Sequence, residues 1–252
     1  MIEVLYIMTY VIVKRGFGEF MKKIYDSKKL DEYIQNNNIE DFFSHDIKSV
    51  MELLLFKKNE YICRENETLH YLYFFVDGKA KVYTTLSNGK SLLLTFYNGF
   101  EVMGDVELVR SQKTFSNVQV IEDSYCIGIP LEKIRTRLLH DATFLSFICD
   151  SLAHKLARLA QNSSINLLYP LENRLASYIL ATGESVENEK NTMVFQGNLT
   201  EISELLGTSY RHLLRTLNIL CDKGVLEKKG SYFEVINKLL LQELAADVYR
   251  QN

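Results

Sequence analysis

The chain has 252 residues, 47% of them apolar and 24% charged, with a net charge of −3 at neutral pH. That length holds two small domains or one large one, and the apolar content belongs to a folded chain rather than a disordered one. Two prolines exclude long proline-rich linkers, and the mild acidity excludes a uniformly basic nucleic-acid binder, so any attraction to phosphate has to be local. Cys63, Cys126, Cys149 and Cys221 are scattered with no Cys-x-x-Cys pair. Spacing therefore offers no zinc or iron–sulfur site, and each thiol reads as a small buried hydrophobe in a reducing, cytoplasmic setting.

Residues 4–13 are largely apolar, but spanning a bilayer needs ~20 residues. Glu3 precedes the run and Lys14-Arg15 follow it, the reverse of a secretory signal. No membrane segment is expected. Gly18-Glu19-Phe20-Met21-Lys22-Lys23 can be encoded by a purine-rich stretch just ahead of an ATG, like a bacterial ribosome-binding site. Residues 1–20 accordingly read as a non-native leader, with Met21 as the start.

Residues 21–51 are helical in character. Ile24, Leu30, Tyr33 and Ile34 give way to Asn36-Asn37-Asn38, and Phe42, Phe43 and Ile47 begin a second short helix. From 53 to 130 the pattern is that of strands: Glu60-Tyr61-Ile62-Cys63, then Tyr71-Leu72-Tyr73-Phe74-Phe75-Val76, then an alternating run from Lys79 and another from Ser91. Asp77-Gly78 and Asn88-Gly89 are hairpin signals, Asn98-Gly99 and Met103-Gly104-Asp105 further turns, and residues 118–129 hold two more strands. Many short strands at regular intervals predict a sandwich or barrel-like roll, with the preceding helices as its cap.

Residues 131–169 predict a long helix that Asp141 can cap. Leu145, Cys149, Leu152, Leu156, Leu159, Ser163 and Asn166 step alternately by four and three, the seam of a two-stranded coiled coil. The alternative is a single amphipathic helix packed on its own roll. Tyr169-Pro170 marks a hinge, since proline restricts its predecessor and starts the next helix well.

Residues 170–252 begin with a helix from Leu171, a polar loop at 183–190 and a strand at Met193-Val194-Phe195. Then come two helices broken by one turn. Ile202, Leu205 and Leu206 form an apolar stripe, Gly207 can take the left-handed conformation that ends a helix, and Ser209 can cap a second helix whose Leu213, Leu217 and Leu220 face the same core. Ser203 supplies a small residue where the helices approach, and Thr216 stands where an aliphatic residue is usual but can bond back to its own helix. Tyr210, Arg211, His212, Arg215 and Asn218 occupy the remaining faces. The pattern fits a helix-turn-helix, whose second helix enters the DNA major groove. Val225 to Val235, alternating around Lys228-Lys229-Gly230-Ser231, reads as a hairpin wing, and residues 208–231 carry a net +3 within an acidic chain. The segment 238–249 predicts a final amphipathic helix.

The order Asp-Gly-Lys-x-Lys-Val-Tyr, Asn-Gly-Lys, Asn-Gly-Phe, Gly-Asp and Val-x-x-x-Glu-Asp-Ser (residues 77–124) resembles the β-roll of the cyclic-AMP receptor/Fnr family of bacterial transcription regulators. The helix-turn-helix and wing are similar to that family's C-terminal domain, and Ser209-Tyr210-Arg211-His212-Leu213-Leu214 resembles its YeiL-like branch. The resemblance spans residues 22–236. It implies an α+β fold: a helical cap and cyclic-nucleotide-binding-like β-roll at 21–130, a dimerisation helix at 131–169 with Leu145, Cys149, Leu152, Leu156 and Leu159 at the interface, and a winged helix-turn-helix DNA-binding domain at 170–252. The implied partners are double-stranded DNA, a second copy of the chain and RNA polymerase, with a small-molecule effector in the roll.

In the resembled family a Gly-Glu pair holds the ribose hydroxyl of a cyclic nucleotide, and an Arg-Ser or Arg-Thr pair neutralises its phosphate with forked geometry. Here the candidate effector pocket would comprise Gly104, Asp105, Lys113 and Thr114. Its carboxylate is one methylene short, and Thr114 stands in the arginine's place when the segment is aligned on Val118. The helix positions that meet the base fall near Leu159 and Ala160, which are apolar. No cofactor is expected, cyclic AMP included. Gly89-Lys90-Ser91 ends like a P-loop, but Thr84 replaces its first glycine; His70 alone in the roll excludes a histidine metal cluster, and no Ser/His/Asp grouping suggests an enzyme.

The sequence thus points to a DNA-binding transcription regulator acting as a homodimer on a near-palindromic site. Tyr210, Arg211, His212 and Arg215 are the candidate base contacts, and Thr200, Ser209, Lys228 and Ser231 the candidate phosphate contacts. Two alternatives stay open: a regulator under cyclic-nucleotide control, and a sensing module whose helical end docks a protein.

Overall fold

The computed structural model describes residues 10–15, 19–110, 112–185 and 192–245. Its contacts divide the chain into two units, Met1–Val82 with Tyr97–Leu156, and Tyr83–Phe96 with Ala157–Asn252.

One sheet has β1 (Tyr10–Arg15), β2 (Glu19–Ile24), β3 (Glu52–Phe56), β5 (Tyr71–Asp77), β8 (Glu101–Met103) and β10 (Ser124–Pro130) in the order β1-β2-β3-β10-β5-β8. A second has β4 (Tyr61–Cys63), β6 (Lys79–Thr85), β7 (Ser91–Asn98) and β9 (Asn117–Val120) in the order β4-β9-β6-β7. From β3 to β10 successive strands alternate between the sheets except at β6–β7, which is the winding of a roll. Asn88-Gly89 closes that hairpin as expected: Gly89 has φ +79°, and the Asn88 carboxamide accepts from the Lys90 amide at 3.0 Å. Asp77-Gly78 is not a hairpin. The chain changes sheet there, at φ +105°, and a Cβ on Gly78 would lie 2.2 Å from Ser124 Oγ.

Residues 21–24, expected to be helical, belong to β2, which pairs antiparallel with β1 and β3. Met21 and Ile24 are buried there, so the apolar spacing served a sheet. The cap itself is α1 (Ser27–Asn36), held by the Asp26 carboxylate on the Lys29 amide, followed by two 3-10 turns at Ile39–Phe42 and Lys48–Val50 where a second short α-helix was expected.

The core lies between this cap, one face of the first sheet and the helices that follow. Leu72, Phe74, Ile127 and Ile129 from the sheet meet Ile34, Ile39 and Phe43 from the cap. Residues 131–169 form two helices rather than one: α3 (Leu131–Leu138) and α4 (Ala142–Leu168), with α2 (Asp105–Arg110) earlier in the roll. Asp141 caps α4 as expected, accepting from the Thr143 and Phe144 amides at 3.0 and 3.2 Å while its other oxygen takes the Ser44 amide. The first turns of α4 are anchored by rings, with Phe144 stacked on Phe43 and Phe147 on Phe42, centroids 5.3 and 3.9 Å apart.

The second unit comprises the far half of α4, α5 (Leu171–Thr182), α6 (Leu199–Leu205), α7 (Tyr210–Asp222), α8 (Lys238–Ala245) and a sheet in the order β11-β12-β14-β13. Its strands are β11 (Glu184–Ser185), β12 (Met193–Phe195), β13 (Leu226–Lys229) and β14 (Tyr232–Val235). The expected loop at 183–190 thus opens with a short strand, and residues 186–191 lie outside the described residues, as do 246–249 of the final helix.

Candidate nucleic-acid interface and ligand pocket

The turn between α6 and α7 is built by local chemistry. The Asn198 carboxamide caps α6 on the Thr200 and Glu201 amides at 3.0 and 3.4 Å. Gly207 ends it at φ +60°, donating to the Glu204 carbonyl at 2.8 Å, and the Ser209 hydroxyl caps α7 on the His212 amide at 3.2 Å. Ile202, Leu205, Leu206, Leu213, Leu217 and Leu220 are all buried, which fixes α6 against α7 through one apolar seam. Ser203 is buried at the approach of the helices, and the Thr216 hydroxyl donates to the His212 carbonyl at 3.0 Å, so this threonine sits in a core without a stranded polar atom.

That burial decides what is left outside. Arg211, Arg215 and Asn218 are exposed and fall within an arc of about 60° on the helix. Leu213, Thr216, Leu217 and Leu220 occupy the opposite side. Tyr210 and His212 flank the exposed arc, both exposed, with His212 Nδ1 3.2 Å from the Thr208 hydroxyl.

The wing forms as expected. β13 and β14 pair antiparallel, Lys228 opposite Phe233 and Lys229 opposite Tyr232, around Gly230 at φ +60°. Of the cations that give this region its positive balance, Lys223 is paired with Glu172 at 2.5 Å and Lys229 with Glu227 at 2.6 Å. Arg211, Arg215 and Lys228 make no ion pair among the described residues. Thr200, Ser209, Lys228 and Ser231 are exposed; Ser209 spends an acceptor on its cap but keeps its hydroxyl proton to donate.

Sequence reasoning missed Arg174. From α5 its guanidinium donates to the Leu206 carbonyl at 2.5 Å, satisfying the C-terminal end of α6 at the turn. No spacing rule links residues 174 and 206; only the fold does.

The candidate effector residues lie in other circumstances. Gly104 has φ +94°, and a Cβ there would lie 2.5 Å from Leu69 Cδ2. Asp105 is 2% exposed; its carboxylate takes the Lys155 ammonium at 2.6 Å and the Val106 amide at 3.0 Å. Beside it, burial raises the Glu107 carboxyl above its ordinary pKa. Thr114 is 4% exposed, and its hydroxyl closes on the backbone of residues 64–67, bonding the Arg64 carbonyl and lying 3.1 Å from the Glu67 carbonyl. Arg64, distant in sequence, thus lies beside the position that lacks an arginine, its guanidinium 4.1 Å from the Tyr61 ring centroid. Lys113 is exposed. None of the four bonds another. Among the described residues no group of three or more His, Cys, Asp and Glu side chains could hold a metal ion, and no helix is long and apolar enough to cross a membrane.

Along α4 the expected seam is partly covered on the single chain, Leu152 packing against the core of the first unit. Leu145, Leu152 and Leu159 are half-buried, Cys149 is exposed and Leu156 is 70% exposed.

Comparison with known proteins agrees with this architecture at both ends. Residues 53–141 match the cyclic nucleotide-binding domain, and residues 173–244 match the Crp-like helix-turn-helix domain. The chain is 32% identical over 214 residues to regulatory protein YeiL of Escherichia coli O157:H7, an alignment covering 84% of this chain and 94% of that one. It is 25% identical over 178 residues to the cyclic AMP receptor protein of Thermus thermophilus, covering 69% and 79%. Among solved structures, a transcriptional regulator of the Crp/Fnr family from Eubacterium rectale superposes with a TM-score of 0.67 at 15% identity, covering 85% of this chain and 99% of that one. The chain belongs to the Crp/Fnr family of transcriptional regulators, with a cyclic nucleotide-binding domain followed by a Crp-like helix-turn-helix domain.

Proposed function

We propose that the chain is a sequence-specific DNA-binding regulator that acts as a homodimer on a near-palindromic site and needs no cyclic nucleotide. The observation that carries the reading is the exposed arc of α7, where Arg211 and Arg215 stand without ion pairs among the described residues. Arg215 reads a guanine by the forked pairing that is the commonest specific contact, Arg211 contacts a second base, and Tyr210 and His212 reach bases or phosphate from the flanks. Thr200, Ser209, Lys228 and Ser231 position the duplex through phosphates. The seam of Leu145, Cys149, Leu152, Leu156 and Leu159 is completed by a second copy, placing two recognition helices about 34 Å apart in successive major grooves. Independence from cyclic AMP is supported by Asp105, whose carboxylate is already bonded to Lys155, and by Thr114, whose hydroxyl is already bonded to the 64–67 turn.

Selection of genomic fragments by the purified full-length chain, with and without cyclic AMP, tests the whole reading. The expected result is one near-palindromic site enriched equally in both conditions. Enrichment only with nucleotide would overturn effector independence. Weak, sequence-blind retention would overturn the regulator reading in favour of a protein-docking module.

A further inference from the structure

The Lys155 ammonium is drawn out of solvent onto the roll. It donates to Asp105 Oδ2 at 2.6 Å and to the Val102 carbonyl at 2.5 Å, with the lysine side chain 17% and the aspartate side chain 4% exposed. The other aspartate oxygen accepts from the Val106 amide at 3.0 Å, so both oxygens are engaged. A ligand hydroxyl seeking this carboxylate meets an ammonium already in place.

The pair also sits at a particular point of α4. Phe144 and Ile148 are 0% and 1% exposed, and the next buried residue along the helix is Asn162. The intervening 14-residue step covers about 21 Å in which no side chain of α4 is buried. Lys155 is on the same face as Phe144 and Ile148, being eleven and seven residues further on. It is also the last residue but one of α4 within the first unit, which ends at Leu156. The seam residues Cys149, Leu152 and Leu156 lie about a quarter turn away on the same helix. Fixing Lys155 therefore fixes which way that seam faces.

We propose that Lys155 is a resident substitute for an effector: a positioning residue that ties the middle of α4 to β8 and α2, and thereby holds the helix in its DNA-binding arrangement without a small molecule. This inference rests on the DNA-binding reading above. It assigns to one side chain of the chain itself the part that a bound ligand would play, and makes the roll's carboxylate a binding site for an internal alkylammonium.

The test uses the full-length chain and Lys155→Ala, a change that removes the three methylenes and ammonium that n-propylammonium can restore. Affinity for the selected DNA site is measured with tens of millimolar propylammonium, with 1-propanol, and with sodium chloride at matched ionic strength. Hydrogen–deuterium exchange of amides 152–160 is followed under the same conditions without DNA. Lys155→Ala should lose at least tenfold in affinity and exchange faster along α4, and propylammonium alone should reverse both. Lys155→Gln, which keeps a donor but no charge, should lose three- to tenfold; it replaces Lys155→Ala should that variant not fold. Affinity within twofold of the parent for a folded variant, or a loss that propylammonium and propanol treat alike, overturns the proposal. Should the parent itself select no DNA, the regulator reading fails separately, and the exchange arm alone decides: amine-specific protection upholds the tether and its absence overturns it.

Discussion

Arg211 and Arg215 on α7 stand in solvent without ion pairs among the described residues, whereas Asp105 and Thr114 in the roll are 2% and 4% exposed and bonded within the chain. Both pairs were conspicuous as residue types. The difference lies in how far away their partners are. What α7 exposes is set by its own apolar rows, a matter of residues three and four apart. The state of Asp105 depends on a lysine fifty positions later, and that of Thr114 on a turn some fifty positions earlier. A surface that reads outward is encoded locally, and a pocket that is filled from within is encoded at long range.

The strongest way to break this contrast is to force the roll open. Gly104→Ala puts a Cβ 2.5 Å from Leu69 Cδ2 on a backbone at φ +94°. Strain and overpacking together should destabilise the roll by about 3 kcal/mol, lowering its melting midpoint by about 6–12 °C. Base-pair discrimination at 20 °C should be unchanged, because α7 is built without Gly104. Altered discrimination in a still-folded protein would mean the two regions are not separately encoded.

On the recognition side, Arg215→Ala should lose about 1–3 kcal/mol at a single base pair of the selected site, read by competition among single-substitution operators. Lys228→Ala should instead weaken every sequence alike and reduce the slope of log affinity against log salt by about one. Equal losses on specific and random DNA for Arg215→Ala would assign it to phosphate.

Thr114→Val sharpens the pocket side. The swap keeps shape but removes the hydroxyl that bonds the 64–67 turn, so the Arg64 carbonyl is left with the Glu67 amide and the Glu67 carbonyl with the Thr114 amide. A loss of about 1–2 kcal/mol is expected in denaturant titration. Millimolar cyclic AMP should protect neither parent nor variant against unfolding; protection of either would show that the carboxylate is still open to nucleotide.

The smallest effect concerns the cap of α4. Burial pushes the Asp141 carboxyl up, but the amides of Ser44, Phe144 and Thr143 outweigh it and hold the group below the ordinary aspartate range. A folded pKa below the unfolded one stabilises the fold fully above the unfolded value, about 4, and the contribution is lost as pH falls through the folded value. Asp141→Ala should cost about 1 kcal/mol at pH 7, and its deficit should shrink on acidification. Asp141→Asn should keep most of the cap and flatten that acid dependence. Melting curves from pH 7 to pH 3 check both.

How legible each part was follows the same division. Ser209, Gly207, the leucine rows and the back-bonded Thr216 were readable because capping, chain reversal and helical spacing act within one or two turns. Asn88-Gly89 was readable for the same reason. Asp77-Gly78 misled because a glycine at positive φ serves a hairpin and a change of sheet equally well, and the choice rests on Ser124, packed against it from β10. Residues 21–24 misled because Ile24 continues into Leu30 and Ile34 at helical spacing, while β3 claims Lys22 to Ile24 through its ladder opposite residues 53–55. Lys155 and Arg174 carried no local signal at all, since each is defined by a carbonyl or carboxylate on a distant element.

The β6–β7 hairpin separates chain order from modular order. Its residues Tyr83–Phe96 belong with Ala157–Asn252, although the roll's own strands surround them in sequence. Asn162 donates to the Leu94 carbonyl at 2.8 Å, and Phe96 meets Tyr178 edge-on with centroids 5.7 Å apart. A winged helix cut out at residue 157 or 170 would therefore leave part of itself behind, with the Tyr178 ring stripped of Phe96 and left against Phe195. In such a gene the portable piece is not the continuous one, and shuffling it intact means carrying a loop borrowed from the domain before it.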